Sequence, residues 1–455
     1  MASAFISRGN TVPVQILSPP ELRKWLPGQP VSDQRWIKTN QFSARPGSHL
    51  SVPGRGGVLK TVLIGARPEE PLFQLAAVQK ALPRGNYQIV TELDPEQAVL
   101  TYLGWGLAAY RFRRYKKVAS PKARLLLPKE LKNRVDALLD AHNLVRDLIN
   151  TPTEDLGPAE LVDAVRLQAG EYSASMEVIT GDELLDNNFP AVHAVGRASD
   201  SPPALIHLRW GDSSHPRLAL VGKGVCFDSG GLDIKSAAGM LKMKKDMGGA
   251  AHALALARLV MDQELPVRLD LIIPAVENSI AGNAYRPGDV ISTRQGLTVE
   301  IGNTDAEGRV ILSDGLTLAS EDKPDLIVDF ATLTGAARVA LGTDLPALFT
   351  NNPAVSIGIF QAGERVSDPV WPMPLYQPYK KLLASKIADL NNVSKSSFGG
   401  AITAALFLEH FVDKDIPWVH LDTYAWSDAD KPARPAGGEA MGLRAVFEYL
   451  TRRYS

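Results

Sequence analysis

Short blocks of branched apolar residues, each cut off by Pro, Gly or a polar cluster, set the rhythm of the chain. Val12-Pro13-Val14-Gln15-Ile16-Leu17 and Leu59-Lys60-Thr61-Val62-Leu63-Ile64-Gly65 read as strands. Pro13 inside the first run predicts an edge strand, because proline cannot donate to a ladder. Residues 19–57 are rich in Pro, Gly and polar side chains. Residues 73–82 carry apolar side chains at helical spacing and residues 87–91 return to a strand pattern, so the first third reads as an α/β domain. Residues 98–117 predict a helix ending in Arg111-Phe112-Arg113-Arg114-Tyr115-Lys116-Lys117. Aromatics interleaved with basic residues can mark a nucleic-acid patch. The plainer reading packs the aromatic face and sets the cations at the helix C-terminus, where the dipole favours them. A further helix over 134–151, apolar at Val135, Leu138, Leu139, Leu144, Leu148 and Ile149, stops at Pro152.

Beyond residue 160 apolar strands and helical patterns alternate: strand-like at 218–221, helical at 250–261, strand-like at 267–274, helical at 310–320, strand-like at 326–330. That alternation predicts a mixed, largely parallel sheet with helices on both faces, an α/β/α layer arrangement. In such sheets ligands bind beyond the carboxyl ends of the strands. The predicted organisation is a smaller N-terminal α/β domain over residues 1–132, an interdomain helix and linker over 133–155, and a catalytic domain over 156–455. A chain of 455 residues exceeds what a single core usually supports, which agrees with two domains.

Composition narrows the class. Hydrophobic residues at 45% and charged residues at 22% are those of an ordinary soluble globular protein. A formal net charge of −1 gives no electrostatic reason for nucleic acid or an anionic membrane as partner. One cysteine, Cys226, excludes an internal disulfide, and its apolar neighbours suit a small buried hydrophobe. No basic segment followed by an apolar stretch opens the chain, and no apolar run reaches the ~18 residues of a membrane span, so a cytoplasmic location is expected. The eight histidines form no closely spaced pair of the kind that binds zinc on a helix.

Two stretches carry the chemistry. Asn303-Thr304-Asp305-Ala306-Glu307-Gly308-Arg309 follows a strand pattern at 297–301 and opens into a helix. Lys223-Gly224-Val225-Cys226-Phe227-Asp228 follows another strand and leads through Lys235 to Asp246. Asp305 and Glu307 alone would suit a helix N-terminus, where carboxylates satisfy free N–H groups. With Asp228 and Asp246 added, four carboxylates in one site would repel, and some would hold protons, unless cations compensate them. A pair of divalent ions does so, and hard oxygen donors suit Mg, Mn and Zn. Lys223 can ligate a metal only when neutral, a state that burial and adjacent cations favour. Lys235 suits a charged donor aimed at oxyanion charge on a substrate carbonyl. The nearby glycines lack phosphate-loop spacing.

These residues resemble the leucyl aminopeptidase family: 303–309 matches its signature and 223–246 its other metal-binding segment. The likeness continues through Ala331-Thr332-Leu333-Thr334-Gly335, residues 399–405 and Trp418-Val419-His420-Leu421-Asp422. It implies hydrolysis of the N-terminal residue from short peptides by a two-metal-activated hydroxide. Asp228 and Glu307 would bridge two divalent ions, Mn²⁺ or Zn²⁺, Lys223 and Asp246 would complete one shell, and Asp305 would serve the other. Lys235 and Arg309 would be the catalytic pair, Arg309 anchoring a bicarbonate that moves the proton. Met243, Asn303, Ala306, Gly308, Thr332, Leu333, Gly335 and Tyr424 would surround the substrate or bicarbonate. The family also implies a homohexamer built as a dimer of trimers.

Other readings use the same features: a DNA-binding or other binding protein on this fold, and a two-metal phosphoesterase. Arg309 has a plainer role too, an ion pair with Asp305 or Glu307. Around Tyr424 the chain departs from the family, which places a small Ala-Gly pair soon after the Asp corresponding to Asp422. Without a gap Tyr424 replaces the small residue and its ring fills part of the first-residue pocket. With a short deletion it sits in a loop, and a third reading makes it an ordinary core tyrosine.

Overall fold

A computed structural model describes residues 4–455. It divides into two compact units, one running to Asn143 and including Asp428–Ala436, the other comprising Leu144–Ser427 and Gly437–Ser455. The division falls inside the helix Lys129–Asn150, and the return of residues 428–436 to the first unit has no local signature in the sequence.

The first unit holds strands β1 (Phe5–Ile6), β2 (Val12–Leu17), β3 (His49–Pro53), β4 (Leu59–Gly65), β5 (Gly85–Ile89) and β6 (Ala123–Leu126) in the order β1-β6-β5-β2-β4-β3. Only β3 runs antiparallel to its neighbour. Pro13 therefore lies in an interior strand, not at an edge. Its backbone faces β4, whose pairing with β2 starts at Val14, and the Pro13 carbonyl is taken by the Thr61 hydroxyl at 2.9 Å, so no ladder donor is missed.

Two helix expectations in this unit are corrected. Residues 74–81 form irregular turns after the 3₁₀ turn Pro71–Phe73. Gln74 there accepts from the Arg67 amide and donates to the Gly65 carbonyl, while Gln79 donates to the Trp105 carbonyl. Apolar spacing still buries Leu72, Leu75, Val78 and Leu82. The helix predicted over 98–117 spans Pro95–Ala108, so its basic tail lies outside the last turn. Arg111 folds back and donates to the Ala108 and Tyr110 carbonyls, reaching the helix end from beyond it.

The second unit is built on β7 (Ser175–Thr180), β8 (Ala204–Trp210), β9 (Arg217–Gly222), β10 (Gly224–Asp228), β11 (Arg268–Asn278), β12 (Val290–Ser292), β13 (Thr298–Glu300), β14 (Leu326–Ala331), β15 (Ala347–Thr350), β16 (Trp371–Pro372), β17 (Leu390–Asn391) and β18 (Trp418–Asp422). Its main sheet has the order β16-β15-β18-β14-β9-β11-β8-β7, with β10 also paired to β11. β18, β14, β9 and β11 run parallel, and antiparallel strands flank them on both sides, as expected for a mixed, largely parallel sheet. Leu218, Leu220, Val221, Ile327 and Val328 on the central strands are fully buried, which is why these strands read as continuous apolar runs. The buried helices Gly248–Asp262 and Glu307–Glu321 pack against this sheet.

One strand is not where the pattern put it. β13, which precedes Asp305 and Glu307, belongs to a separate sheet β12-β13-β17 and not to the main one. Asp228 and the Asp305–Glu307 pair therefore reach one place from two sheets, and Asp246 joins them from the end of the 3₁₀ turn Met243–Lys245.

Candidate metal centre and catalytic cavity

The carboxyl ends of β10 and β14 supply one side of the site. Asp228 closes β10, and the turn after it needs Gly230 (φ +90°) and Gly231 (φ +64°) in conformations costly for other residues. That turn aims the Gly230 amide at Asp228 Oδ1 (2.9 Å), an atom that also accepts from Asn278 Nδ2 at the end of β11 (2.9 Å). Thr332, just past β14, donates through its hydroxyl to Asp246 Oδ1 at 2.8 Å.

Asp305 and Glu307 stand at the start of the helix Glu307–Glu321, whose N-cap Ala306 makes no side-chain cap bond. The simple capping role is thus not what holds these carboxylates. The loop before them is pinned from several directions. Thr304 donates through Oγ1 to the Gly230 carbonyl (2.6 Å), and its own carbonyl accepts from Asn278 Nδ2 (3.0 Å) and Tyr285 Oη (2.6 Å). Asn392, beside β17, donates through Nδ2 to the Asn303 carbonyl (2.7 Å), and its own carbonyl accepts from Arg309 Nη1 (2.7 Å).

Ligand atoms of Asp228, Asp305 and Glu307 lie within 4.8 Å of one another. Lysines are threaded among them. Lys223 Nζ sits 2.7 Å from Asp246 Oδ2 and 2.9 Å from Glu307 Oε1, and donates to the Thr332 carbonyl at 3.0 Å. Lys235 Nζ sits 2.7 Å from Asp228 Oδ2 and also pairs with Asp305. Gly308 is required by the first arrangement: a Cβ there would come 2.4 Å from Lys223 Cε.

The electrostatics follow from crowding and burial. Burial, reinforced by Asp246, pushes Asp228 up to about 6. Burial, reinforced by Asp228, holds Glu307 well above the usual carboxylate range. Asp246 is the exception, since Lys223 and Lys245 outweigh its burial and keep it low. With no cation in the site Lys223 holds its proton: burial acts downward, but Asp246 and Glu307 at under 3 Å outweigh it.

Every residue anticipated from the sequence lines one cavity of about 710 Å³ except Gly308, which lies behind Lys223. Arg309 makes no ion pair with Asp305 or Glu307; it is buried, its Nε has no hydrogen-bond partner, and burial lowers it to about 10. Tyr424 is half-buried on the cavity wall, with Lys245 Nζ and Arg338 Cζ each 5.1 Å from its ring centroid. Asp422 shapes the same wall by accepting from the amides of Leu333 (3.0 Å) and Thr334 (3.2 Å) and from the Thr334 hydroxyl (2.6 Å). Sequence reasoning missed Thr304, Asn278, Tyr285, Asn392, Lys245 and Arg338. Thr304 sits within the recognised stretch, whereas the others carry no local signal.

The donor set fits divalent cations. Its oxygens are hard, two lysines bridge its four carboxylates in pairs, and among the described residues Glu307 Oε2 is a buried carboxylate oxygen with no hydrogen-bond partner.

Comparison with known proteins agrees with this chemistry. Residues 143–447 match the catalytic domain of the cytosol aminopeptidase family, and residues 12–128 match the M17 aminopeptidase N-terminal domain. The crystal structure of the cytosol aminopeptidase from Coxiella burnetii is similar with a TM-score of 0.96 at 50% sequence identity, over 99% of this chain and 100% of that one. A protein of Aquifex aeolicus named "Probable cytosol aminopeptidase" is 39% identical over 99% of this chain and 95% of its own length. The bottromycin maturation enzyme BotP, solved in complex with Mn, has a TM-score of 0.88 at 32% identity over 98% of this chain and 100% of its own.

Proposed function

The chain belongs to the cytosol aminopeptidase family and is a metal-dependent enzyme that hydrolyses the N-terminal residue from peptides, and we propose that its carboxylate cluster does this with two divalent cations. Asp228 and Glu307 would be shared between the cations, Lys223 and Asp246 would complete one set, and Asp305 would serve the other. The observation that carries this reading is the convergence of Asp228, Asp305 and Glu307 within 4.8 Å, with a buried Glu307 oxygen left without a partner. Mn in the related BotP structure favours manganese, with zinc the alternative. Bound there, the cations supply Lewis-acid polarisation of the scissile carbonyl and an activated water.

The chain's own groups do the rest. Lys235 opens on the cavity and keeps its proton, because Asp228 and Asp305 outweigh its burial, so its ammonium donates to the oxygen charge that develops on the substrate carbonyl. Arg309 spends Nη1 on the Asn392 carbonyl, and among the described residues it has no carboxylate within salt-bridge distance and its Nε has no hydrogen-bond partner. Its free donors suit a small planar oxyanion such as bicarbonate, which would carry a proton where no side-chain base is placed. Met243, Asn303, Ala306, Thr332, Leu333, Gly335 and Tyr424 form the walls around the substrate, and Gly308 gives Lys223 its room.

The catalytic machinery lies wholly within the proposed catalytic domain, residues 156–455. A homohexamer in the cytoplasm completes the proposal. Leu241 and Val339 are 80% and 85% exposed and each adjoins in sequence a residue that lines the cavity, as apolar side chains covered by neighbouring subunits would. No helix among the described residues is long and apolar enough to cross a membrane. Metal analysis of the purified protein, paired with a panel of peptides differing in first residue, tests the reading. Two ions per chain with amino-terminal release support it; phosphate-ester turnover without peptide turnover refutes it. Light scattering that finds a fully active monomer at micromolar concentration removes the hexamer.

A further inference from the structure

Lys245 is the one lysine of the cavity that is buried beside the carboxylate cluster yet belongs to neither ion-pair bridge. Its side chain is 6% exposed and lines the cavity, and among the described residues its ammonium has no carboxylate within salt-bridge distance and no hydrogen-bond acceptor. The nearby carboxylates are engaged elsewhere: Asp246 holds Lys223 and the Thr332 hydroxyl, and Asp422 holds the loop at Leu333 and Thr334. What faces Lys245 is the ring of Tyr424, 5.1 Å away, and the same ring carries the exposed Arg338, which among the described residues has no carboxylate within salt-bridge distance. An aromatic face recovers only part of what an ammonium loses on leaving water, and two cations sharing one ring repel. Such an arrangement is relieved when an anion enters between them.

We propose that Lys245, with Arg338 across Tyr424, is a carboxylate-recognition subsite of the catalytic cavity, so that the enzyme selects peptides that bring an acidic group to this wall. The inference rests on the aminopeptidase reading and adds a substrate class to it. The carboxylate has two sources, the side chain of a first-residue Glu or Asp, and the free C-terminus of a very short peptide. The position of Tyr424 among the residues assigned to the first side chain favours the former. Lys245 is a binding residue here and takes no part in bond breaking.

The test uses the full-length, Mn-loaded protein and matched peptides: Glu against Gln and Asp against Asn as first residue, each as a dipeptide and as its C-terminal amide. Wild type should show kcat/KM about 10- to 100-fold higher for the carboxylate member of whichever pair supplies the group, the scale of one charge-assisted contact. Preference for Glu over Gln that survives C-terminal amidation identifies the side chain; preference for the free over the amidated dipeptide identifies the C-terminus. In Lys245→Met the preferred ratio should fall toward one through KM, and Lys245→Arg should restore part of it. Calorimetry should show the product glutamate binding more tightly than glutamine, a readout independent of turnover. Ratios near one in wild type overturn the proposal, as does a preference that Lys245→Met leaves intact or an equal loss on both members of a pair. Should Lys245→Met fail to fold, the wild-type ratios and the calorimetry decide. Release of neutral first residues without any carboxylate preference defeats this inference alone, whereas no release from any peptide defeats the aminopeptidase reading with it.

Discussion

The two ends of the catalytic cavity handle charge in opposite ways. At the carboxylate end each lysine is shared by two acids, Lys223 by Asp246 and Glu307, Lys235 by Asp228 and Asp305, and negative charge is still in excess. At the Tyr424 end two cations share one ring, and among the described residues neither has a carboxylate within salt-bridge distance. Burial makes the imbalance consequential at Asp228, Glu307 and Lys245, because an uncompensated charge away from water is costly, whereas Arg338 is exposed. One cavity thus asks for cations at one end and for an anion at the other, and the difference lies in the neighbours of each lysine rather than in the lysines themselves.

Glu307→Gln should break the comparison most severely. It removes one charge from the cluster while keeping the side chain's shape, so activity is expected to vanish and metal content to fall below two ions per chain while the protein stays folded, as circular dichroism and metal analysis would show. Substantial activity with two ions retained would disprove the site. Chelation of the wild type should give the same loss and also lower Tm, since ions at about 100 times their Kd contribute roughly 2.7 kcal/mol to the folded state. An unchanged Tm with full activity would show that no cation is held.

Lys235→Ala should lower kcat by about 10²–10³ with metal content preserved, the effect of one oxyanion donor. A change confined to KM would make it a binding residue only. Tyr424→Ala sharpens the other end: removing the ring should shift kcat/KM toward leucyl and phenylalanyl substrates over alanyl ones by roughly 10–200-fold. An unaltered preference would mean that the ring does not limit the pocket. Gly308→Ala should act smallest, weakening metal binding by about 10- to 100-fold with little change in Tm, because the clash at 2.4 Å is with the flexible end of Lys223. A Tm fall as large as that of a core substitution would locate the strain in the backbone instead.

How much of this was legible varies by residue. Central strands β9 and β14 are buried on both faces and announce themselves as apolar runs, interrupted in β14 only by Asp329, which pairs with Trp418 and His420. The turns at 74–81 do not, because Gln74 and Gln79 spend their amides on backbone outside the segment, and apolar spacing is blind to that competition. In the site, Asp228, Asp305 and Glu307 stood out because two separate stretches each bring acids and cations together and both resemble metal-binding segments of the leucyl aminopeptidase family. Asn278 was illegible, although its one amide ties Asp228 to the Thr304 carbonyl. An asparagine at the end of a strand is common, and only its position between two loops gives it this work. Lys245 was equally silent, lying one residue before a recognised aspartate.

The sequence by itself determined the kinds of group available: hard carboxylate oxygens, ammonium donors, a guanidinium, and the glycines that let chain segments approach. Those follow from residue type and from short-range spacing, which any local stretch carries. Tertiary structure decided which groups meet and in what protonation state. Lys223 reaches a carbonyl 109 residues away, and Asn278 reaches an aspartate 50 residues away. The same burial that raises Glu307 is overruled at Lys223 by two carboxylates. Coulomb energies and desolvation depend on distance and on the surrounding medium, and both are set by the folded chain.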